Sequence, residues 1–321
     1  MRLVIDTDAG VDDAVAILMA LHAFPGDEIV AISTVFGNVD VHQANHNVAH
    51  ILDAAGRPTI PVFSGASKAI VASVSEKRWE GHGPDGLGGE AGKVEASLTL
   101  ARQNEAVQHL IDLAQQHRGE LVIAAIGPLT NIALAMLLDP NFVSHVKTLV
   151  VMGGLSRGEG NSTRHAEYNV SCDPEATNIV YQHCTAQQLY VVPFETCLDN
   201  MLTWKTFDSI FHTEVNANGQ YLKKIWRFTR AFCEDEGFMP CDAYAIAILL
   251  HPEYIKTASR VKGHIHLAPD ERRGASLYDK NCAPDEANVT LVTEIDARVF
   301  VDLLHHLSAM KAQDVLVAAT K

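Results

Sequence analysis

Apolar positions along this chain switch repeatedly between short continuous runs and helical spacing, and the order of the switches predicts an α/β protein. Leu3, Val4 and Ile5 form a short apolar run that ends on Asp6, the pattern of a buried strand. From Asp12 onward Val15, Leu18, Met19 and Leu21 or His22 fall near one face of a helix. A second strand is predicted over 28–35, stopped by Gly37-Asn38, and a helix over 44–55 with Gly56 as its stop and Pro58 beyond. A third strand covers 60–63.

The segment 64–98 is rich in glycine and poor in periodicity, and a loop of that length inside a compact domain is usually functional. Order resumes with a helix over 104–117, a strand over 121–126, a helix over 129–138 and a strand over 148–152. A polar loop precedes a helix over 174–183 and a strand over 189–193. The rest is more helical, with helices expected over 204–211, 221–233, 243–251 and 298–310 and extended runs over 261–267, 276–278 and 289–292. Strands alternating with long helices imply βαβ units, so the expected fold is an open, mostly parallel sheet flanked by helices. No linker, repeat or low-complexity tract divides the chain, and 1–321 reads as a single domain.

Composition narrows the function classes. The chain is 47% hydrophobic and 20% charged, as in ordinary soluble globular proteins. A formal net charge of -14 argues against a nucleic-acid partner, which needs basic patches. No apolar run is long enough for a signal-peptide core or a membrane span. The six cysteines (172, 184, 197, 233, 241 and 282) are scattered without a CxxC pair, which makes reduced thiols in a cytoplasmic protein the default expectation.

The chemistry concentrates where the first strand meets the first helix. Asp6, Asp8, Asp12 and Asp13 all fall there, at the carboxyl end of a strand, where open α/β sheets bind ligands. Helix capping accounts for one or two of them. Four are harder to explain that way, because close carboxylates raise one another's pKa unless a cation intervenes. Carboxylates without His or Cys at ligand spacing favour a hard cation, calcium or magnesium, over zinc. Calcium suits a site that draws acids and carbonyls from separated loops, with a neighbouring carboxylate as general base.

The segment Asp6-Thr7-Asp8-Ala9-Gly10-Val11-Asp12-Asp13-Ala14-Val15-Ala16-Ile17 resembles the DTDPGxDDxxAI signature of the inosine-uridine-preferring nucleoside hydrolases. Further matches follow in order: Gly37-Asn38, Ile126-Gly127-Pro128-Leu129-Thr130-Asn131, Met152-Gly153-Gly154, then Asn161, Glu167-Tyr168-Asn169 and Asp173-Pro174-Glu175. The resemblance covers residues 3 to about 255 and is weak over the C-terminal region. It implies calcium-dependent hydrolysis of the N-glycosidic bond of a ribonucleoside, giving ribose and a free purine or pyrimidine base, by a homodimer or homotetramer. The net acidity does not stand against such a substrate, which carries no phosphate.

The same resemblance implies roles for individual residues. Asp8 would be general base and calcium ligand, Asp13 and Asp242 calcium ligands, and Ile126 a carbonyl ligand. Asn38 would lie by the attacking water and Asp12 would bind ribose hydroxyls. Asn161 and Glu167 would hold the 5′-hydroxyl, Asn169 the ribose ring, and Met152 and His82 would border the substrate. Asp6 would be a supporting residue. Glycines on both sides of His82 suit a loop that closes over substrate. Trp79 and Trp226 are candidates for base stacking, whereas Tyr221, Phe228 and Tyr244 read more simply as core.

Each of these residues has an ordinary reading when taken alone: Asn38 and Asn131 as turn residues, Asp242 as a helix cap, Asn161, Glu167 and Asn169 as loop surface. Two departures from the family pattern matter. Ala9 replaces the usual proline, which should relax the turn slightly. Cys241 stands where some members carry the histidine that protonates the departing base; a thiol can donate that proton, and it can equally be inert core. Two other classes fit parts of the sequence. A haloacid-dehalogenase-like phosphatase would use Asp6-Thr7-Asp8, but needs a later Lys and a further acid pair at a strand end, and no such pair is found. A non-catalytic nucleoside-binding protein would follow if Cys241 disabled leaving-group activation.

Overall fold

In the computed structural model, which describes residues 1–74, 77–92, 105–212 and 215–309, the N-terminal apolar run becomes β1 (Arg2–Thr7). Chain order continues with β2 (Ile29–Thr34), β3 (Val62–Ser64), β4 (Leu121–Ala125), β5 (Val146–Met152), β6 (Leu189–Val192), β7 (Ile255–Ile265), β8 (Ser276–Asp279) and β9 (Val289–Ile295). They form one nine-stranded sheet in the order β3-β2-β1-β4-β5-β6-β9-β7-β8. Pairing is parallel from β3 through to β9, while β7 runs antiparallel to both β9 and β8. β1 and β4 are almost wholly buried, which is why they read as unbroken apolar runs and not as alternating ones.

Helices cover both faces and divide the core in two. One apolar cluster lies under the helices Val11–Ala23, Val41–Ala54, Ala217–Phe232 and Cys241–Leu250; the other lies under Ala106–Gln116, Thr130–Leu138 and Pro174–His183. Cys241–Leu250 is apolar on nearly every side and packs against Val11–Ala23, as expected of a helix enclosed in the core. The chain leaves β1 toward β2 and β3 on one side and returns to β4 on the other. This makes a topological switch point between β1 and β4, where open sheets of this kind open a crevice.

Most expected elements are present with bounds shifted by one to a few residues. Larger differences fall late in the chain. The extended run expected over 261–267 is the end of a longer strand that starts at Ile255, and the helix expected from 221 starts at Ala217, capped by the Asn216 side chain on Gly219 N at 2.9 Å. Short helices at Phe142–His145, Tyr168–Cys172 and Phe194–Asp199 lie in segments that carried no helical pattern. The first residue of the helix expected over 104–117, the last of the one over 298–310 and positions 75–76 and 93–98 of the glycine-rich segment lie outside the described residues. Among the described residues no helix is long and apolar enough to cross a membrane.

Candidate active site

β1 ends in Asp6 and Thr7, and its continuation carries Asp8 into the switch-point crevice. Three of the four N-terminal acids, Asp6, Asp8 and Asp13, are held by named hydrogen-bond donors. Asp6 is fully buried; it accepts from the Ser33 hydroxyl on β2 and from Asn131 Nδ2 at 2.8 Å. Asn131 therefore does more than close a turn: its Nδ2 also reaches the Thr34 carbonyl (2.9 Å), and its Oδ1 accepts from Ala66 N (2.8 Å). Burial pushes the Asp6 carboxyl up to about 7.

Asp8 Oδ2 accepts from Asn38 N at 2.7 Å and its Oδ1 from Asn38 Nδ2 at 3.1 Å. The same amide lies 3.2 Å from Asp13 Oδ2, so one side chain bridges two carboxylates. Residue 37 must be glycine here, because a Cβ would overlap the Asp8 carboxylate. Asp13 is held from the other side by the Thr7 hydroxyl and by Gly10 N at 2.7 Å. Burial, then the charge of Asp12, pushes Asp13 up to about 6; burial likewise takes Asp12 to about 6.

The fifth acid arrives from far along the chain. Asp242 occupies the first turn of Cys241–Leu250, and the packing of that helix on Val11–Ala23 brings it to Asp12 and Asp13. Oxygen atoms of Asp12, Asp13 and Asp242 lie within 4.8 Å of one another, the only such group among the described residues. Burial, followed by the charges of Asp12, Asp13 and Asp8, pushes Asp242 well above the usual carboxylate range. Asp8 stands beside this trio and outside it, facing Asn38.

Ala9 is not in a merely relaxed turn. Its φ is 55°, the only positive value at a described non-glycine residue. A proline ring fixes φ near −65° and cannot occupy that backbone, so the replacement of proline changes the path of the turn. The turn is secured by Ala9 N on Thr7 Oγ1 (3.1 Å) and by Asn47 Nδ2 on the Ala9 carbonyl (2.9 Å).

The acids floor a cavity of about 460 Å³. Asp12, Asn38, Ile126, Met152 and Asp242 line it, as do Asn161, Glu167 and Asn169. Asp8 and Asp13 lie beneath this lining. Glu167 accepts from Gly154 N (3.0 Å), Asn169 N (2.8 Å) and Val170 N (3.0 Å), and burial still raises it to about 6. Asn169 commits its Nδ2 to the Ile126 and Met152 carbonyls at 3.3 and 3.2 Å.

The rest of the lining is in large part aromatic and sulfur-rich. Trp79, Trp226 and Cys241 belong to it, and so do Phe232, Met201 and Met239, which the sequence pattern did not single out. Trp226 is anchored by its Nε1 on the Val11 carbonyl (3.1 Å), whereas Trp79 is 43% exposed and meets His82 edge-on. Tyr221, Phe228 and Tyr244 are not in the lining; Tyr221 bonds His50 and Tyr244 bonds the Asn200 carbonyl. Tyr168, also unforeseen although it sits inside the Glu-Tyr-Asn motif, lines the cavity and donates to the Gly37 carbonyl at 2.9 Å.

His82 is buried and its Nδ1 accepts from Val11 N at 3.3 Å, which places a neutral ring's proton on Nε2. Burial lowers it to about 4. The loop that carries it is fastened at several points. Asp85 takes three amides of the loop (Leu87, Gly89, Ala91), Asn47 holds the Asp85 carbonyl, and Thr229 holds the Gly81 carbonyl. These bonds hold residues 80–92 in place as one wall of the cavity in this structure. The Cys241 thiol is pushed well above its ordinary value by its hydrogen bond with Cys197 and then by burial.

Residues 3–302 match the family described as inosine-uridine preferring nucleoside hydrolase. The chain belongs to that family. It is a nucleoside hydrolase, an enzyme of N-glycosidic bond hydrolysis. Among its relatives, the inosine-uridine preferring nucleoside hydrolase of Crithidia fasciculata is 30% identical over 311 residues, covering 94% of this chain and 96% of the relative. A probable uridine nucleosidase of Oryza sativa subsp. japonica is 35% identical over 277 residues, 82% of this chain and 80% of its own length. The fold agrees: a solved inosine-guanosine nucleoside hydrolase superposes with a TM-score of 0.87 at 30% identity, covering 95% of this chain and 98% of that one. A plant nucleoside hydrolase superposes with a TM-score of 0.82 at 27% identity, over 96% and 99% of the two chains. Family and fold leave the phosphatase and binding-protein readings without support.

Proposed function

We propose that this nucleoside hydrolase cleaves purine or pyrimidine ribonucleosides to ribose and free base, with Asp8 as general base and calcium held by Asp13, Asp242, Asp8 and the Ile126 carbonyl. One observation carries the metal part of the reading: Asp12, Asp13 and Asp242 converge at the cavity floor, and Asp12 Oδ1 is buried without a hydrogen-bond partner. Buried carboxylates this close cannot all ionise unaided. An oxygen-only donor set with a backbone carbonyl fits a hard cation of flexible coordination, which favours calcium. When bound, such an ion supplies the positive charge that keeps these acids ionised and polarises oxygen ligands.

The chain's own groups do the rest. Asp8, oriented through both oxygens by Asn38, accepts the proton of the water that attacks the anomeric carbon, a role worth about 10²–10⁴-fold. Asp12 binds ribose hydroxyls, and Asn161 with Glu167 binds the 5′-hydroxyl. Because Asn169 spends its amide hydrogens on two carbonyls, its Oδ1 is the atom left to face the sugar as positive charge develops there. Trp79 and Trp226 flank the base, His82 borders it, and Met152 closes the sugar side. Cys241, kept protonated by its surroundings, is a lining group with a proton for the departing base.

The enzyme is read as one domain over 1–321, a homodimer or homotetramer acting in nucleoside salvage and catabolism in the cytoplasm. Free cysteines throughout support a reducing compartment. A panel of purine and pyrimidine ribonucleosides, with base release followed in calcium and in chelator, tests the whole reading. Release that needs calcium and fails with 2′-deoxyribonucleosides supports it. Release that survives chelation removes the metal from the account.

A further inference from the structure

Glu195 is a charged side chain in the core that takes no part in the chemistry above. It stands in the first turn of Phe194–Asp199, directly after β6, and has no solvent exposure. Its Oε1 accepts from Arg157 N (2.8 Å), Gly158 N (2.9 Å) and Glu159 N (3.3 Å). Its Oε2 accepts from Ser156 N (2.7 Å) and the Ser156 hydroxyl (3.2 Å). One carboxylate thus gathers the amides of residues 156–159. Burial acts to raise its pKa, but these amides outweigh burial and hold it below the usual range.

The gathered segment leads straight to the sugar site. It follows Gly153-Gly154 at the end of β5, where Gly154 N bonds Glu167 and the Gly154 carbonyl accepts from Phe194 N at 3.0 Å. It ends at Asn161, which lines the cavity and accepts Tyr168 N on its Oδ1 at 2.8 Å. Residues 153–167 contain no helix or strand; beside Asn161 the backbone bonds are Gly160 N on the Arg164 carbonyl (3.4 Å) and Ser162 N on the Ala166 carbonyl (3.2 Å), both within the loop itself. Those bonds tie the loop to itself, whereas the four consecutive amides on Glu195 fasten its first half to a buried point of the core.

We propose that Glu195 is a positioning residue that sets the 5′-hydroxyl end of the substrate site, by fixing loop 156–159 and with it Asn161 against Glu167. The inference rests on the assignment of Asn161 and Glu167 to the 5′-hydroxyl. Substrate never touches Glu195; its effect passes through the loop. An uncharged isostere retains one acceptor and turns the other end into a donor that faces amide hydrogens, so it can satisfy only part of the loop.

The test compares inosine with 5′-deoxyinosine, and uridine with 5′-deoxyuridine, in wild type, Asn161→Ala, Glu195→Ala, Glu195→Gln and the Asn161→Ala/Glu195→Gln double variant. The expected result is that Asn161→Ala and Glu195→Ala each reduce the kcat/KM preference for the 5′-hydroxylated substrate by roughly tenfold. Glu195→Gln should fall between these and wild type, with kcat/KM on the 5′-deoxy substrate nearly unchanged. In the double variant the preference should fall no further than in Asn161→Ala alone. Should Glu195→Ala fail to fold, Glu195→Gln and the double variant decide the matter. If Asn161→Ala erodes the preference while the Glu195 variants lower both substrates equally, Glu195 is only structural and the inference is overturned. If Asn161→Ala itself leaves the preference intact, the 5′-hydroxyl assignment is wrong and the inference falls with it.

Discussion

Replacing Ala9 by proline, the residue usual in this family's signature, should damage this enzyme. Ala9 sits at φ 55°, about 120° from the value a proline ring imposes. Its N–H donates to Thr7 Oγ1 at 3.1 Å, and that hydroxyl in turn donates to Asp13. Proline removes the donor, at a cost of roughly 1 kcal/mol for the lost bond. It also drives the turn away from a path held by Asn47 on the Ala9 carbonyl, and a backbone forced off its native region adds roughly 1–3 kcal/mol. The sum is about 3 kcal/mol. For a chain of 321 residues, at roughly 2 cal/mol/K of unfolding entropy per residue, that lowers Tm by about 4–5 °C. Ala9→Gly is the matching control: it relieves the left-handed strain and loosens the unfolded chain by similar amounts, so stability should stay within about 1 kcal/mol. Calorimetry and base-release kinetics on the three proteins provide the assay. The proline variant should lose activity beyond its stability loss, because Asp8 lies immediately before the turn. A proline variant as stable and as active as wild type would refute the left-handed assignment and everything built on it.

Three other outcomes follow from the site. Asp8→Asn should fold, since Asn38 can still bond the amide oxygen, yet lose about 10²–10⁴-fold in kcat; near-normal turnover would remove Asp8 as base. Chelation should abolish base release and lower Tm, and calcium at roughly 100 times its Kd should restore about 2.7 kcal/mol of stability, read as a Tm rise in the absence of substrate; an unchanged Tm would speak against a metal at this floor. Glu167 supplies a pH dependence. Its folded pKa is raised from 4.5 to about 6 by burial, so the folded state holds the proton more tightly than the unfolded one between those values. The ionisation penalty is absent below pH 4.5 and complete above pH 6. At about 1.36 kcal/mol per pKa unit, the stability of Glu167→Gln relative to wild type should therefore rise by roughly 2 kcal/mol between those limits. Whatever constant offset the amide introduces cancels in that comparison. Denaturation curves that stay parallel across the range would contradict the raised pKa.

What could be read in advance follows the range of the forces involved. β1, β2 and β4 and the helices between them were legible, because each is specified by a local period and a local stop signal such as Gly56 or Gly119. The insertion of β9 between β6 and β7 was not, since strand order is decided by pairing across long sequence separations that no local period records. The same holds within the site. Asp8 and Asp13 could be placed from the N-terminal motif alone. Asp242 is joined to them by the packing of two apolar helices, one of them so evenly hydrophobic that it carried no amphipathic signal.

The residues that were missed, or given too small a role, fall into two kinds. Phe232, Met201 and Met239 look like core residues in sequence, and only the open side of the cavity shows that their apolar surfaces face a ligand. Asn131 and Glu195 were hidden for the opposite reason. Each is a polar residue whose worth lies in the number of backbone and side-chain groups it gathers once buried, and a one-dimensional reading cannot count partners. Ala9 belongs with them, because an alanine replacing proline looks like a small loss of stiffness until its φ is known. In each of these cases the sequence names the side chain, whereas its role depends on which neighbours the finished fold leaves unsatisfied without it. The parts of this site most in need of mutation are therefore not the aspartates of the signature, which a motif already identifies, but Asn131, which holds Asp6, Glu195, which holds the 156–159 loop, and the strained turn at Ala9.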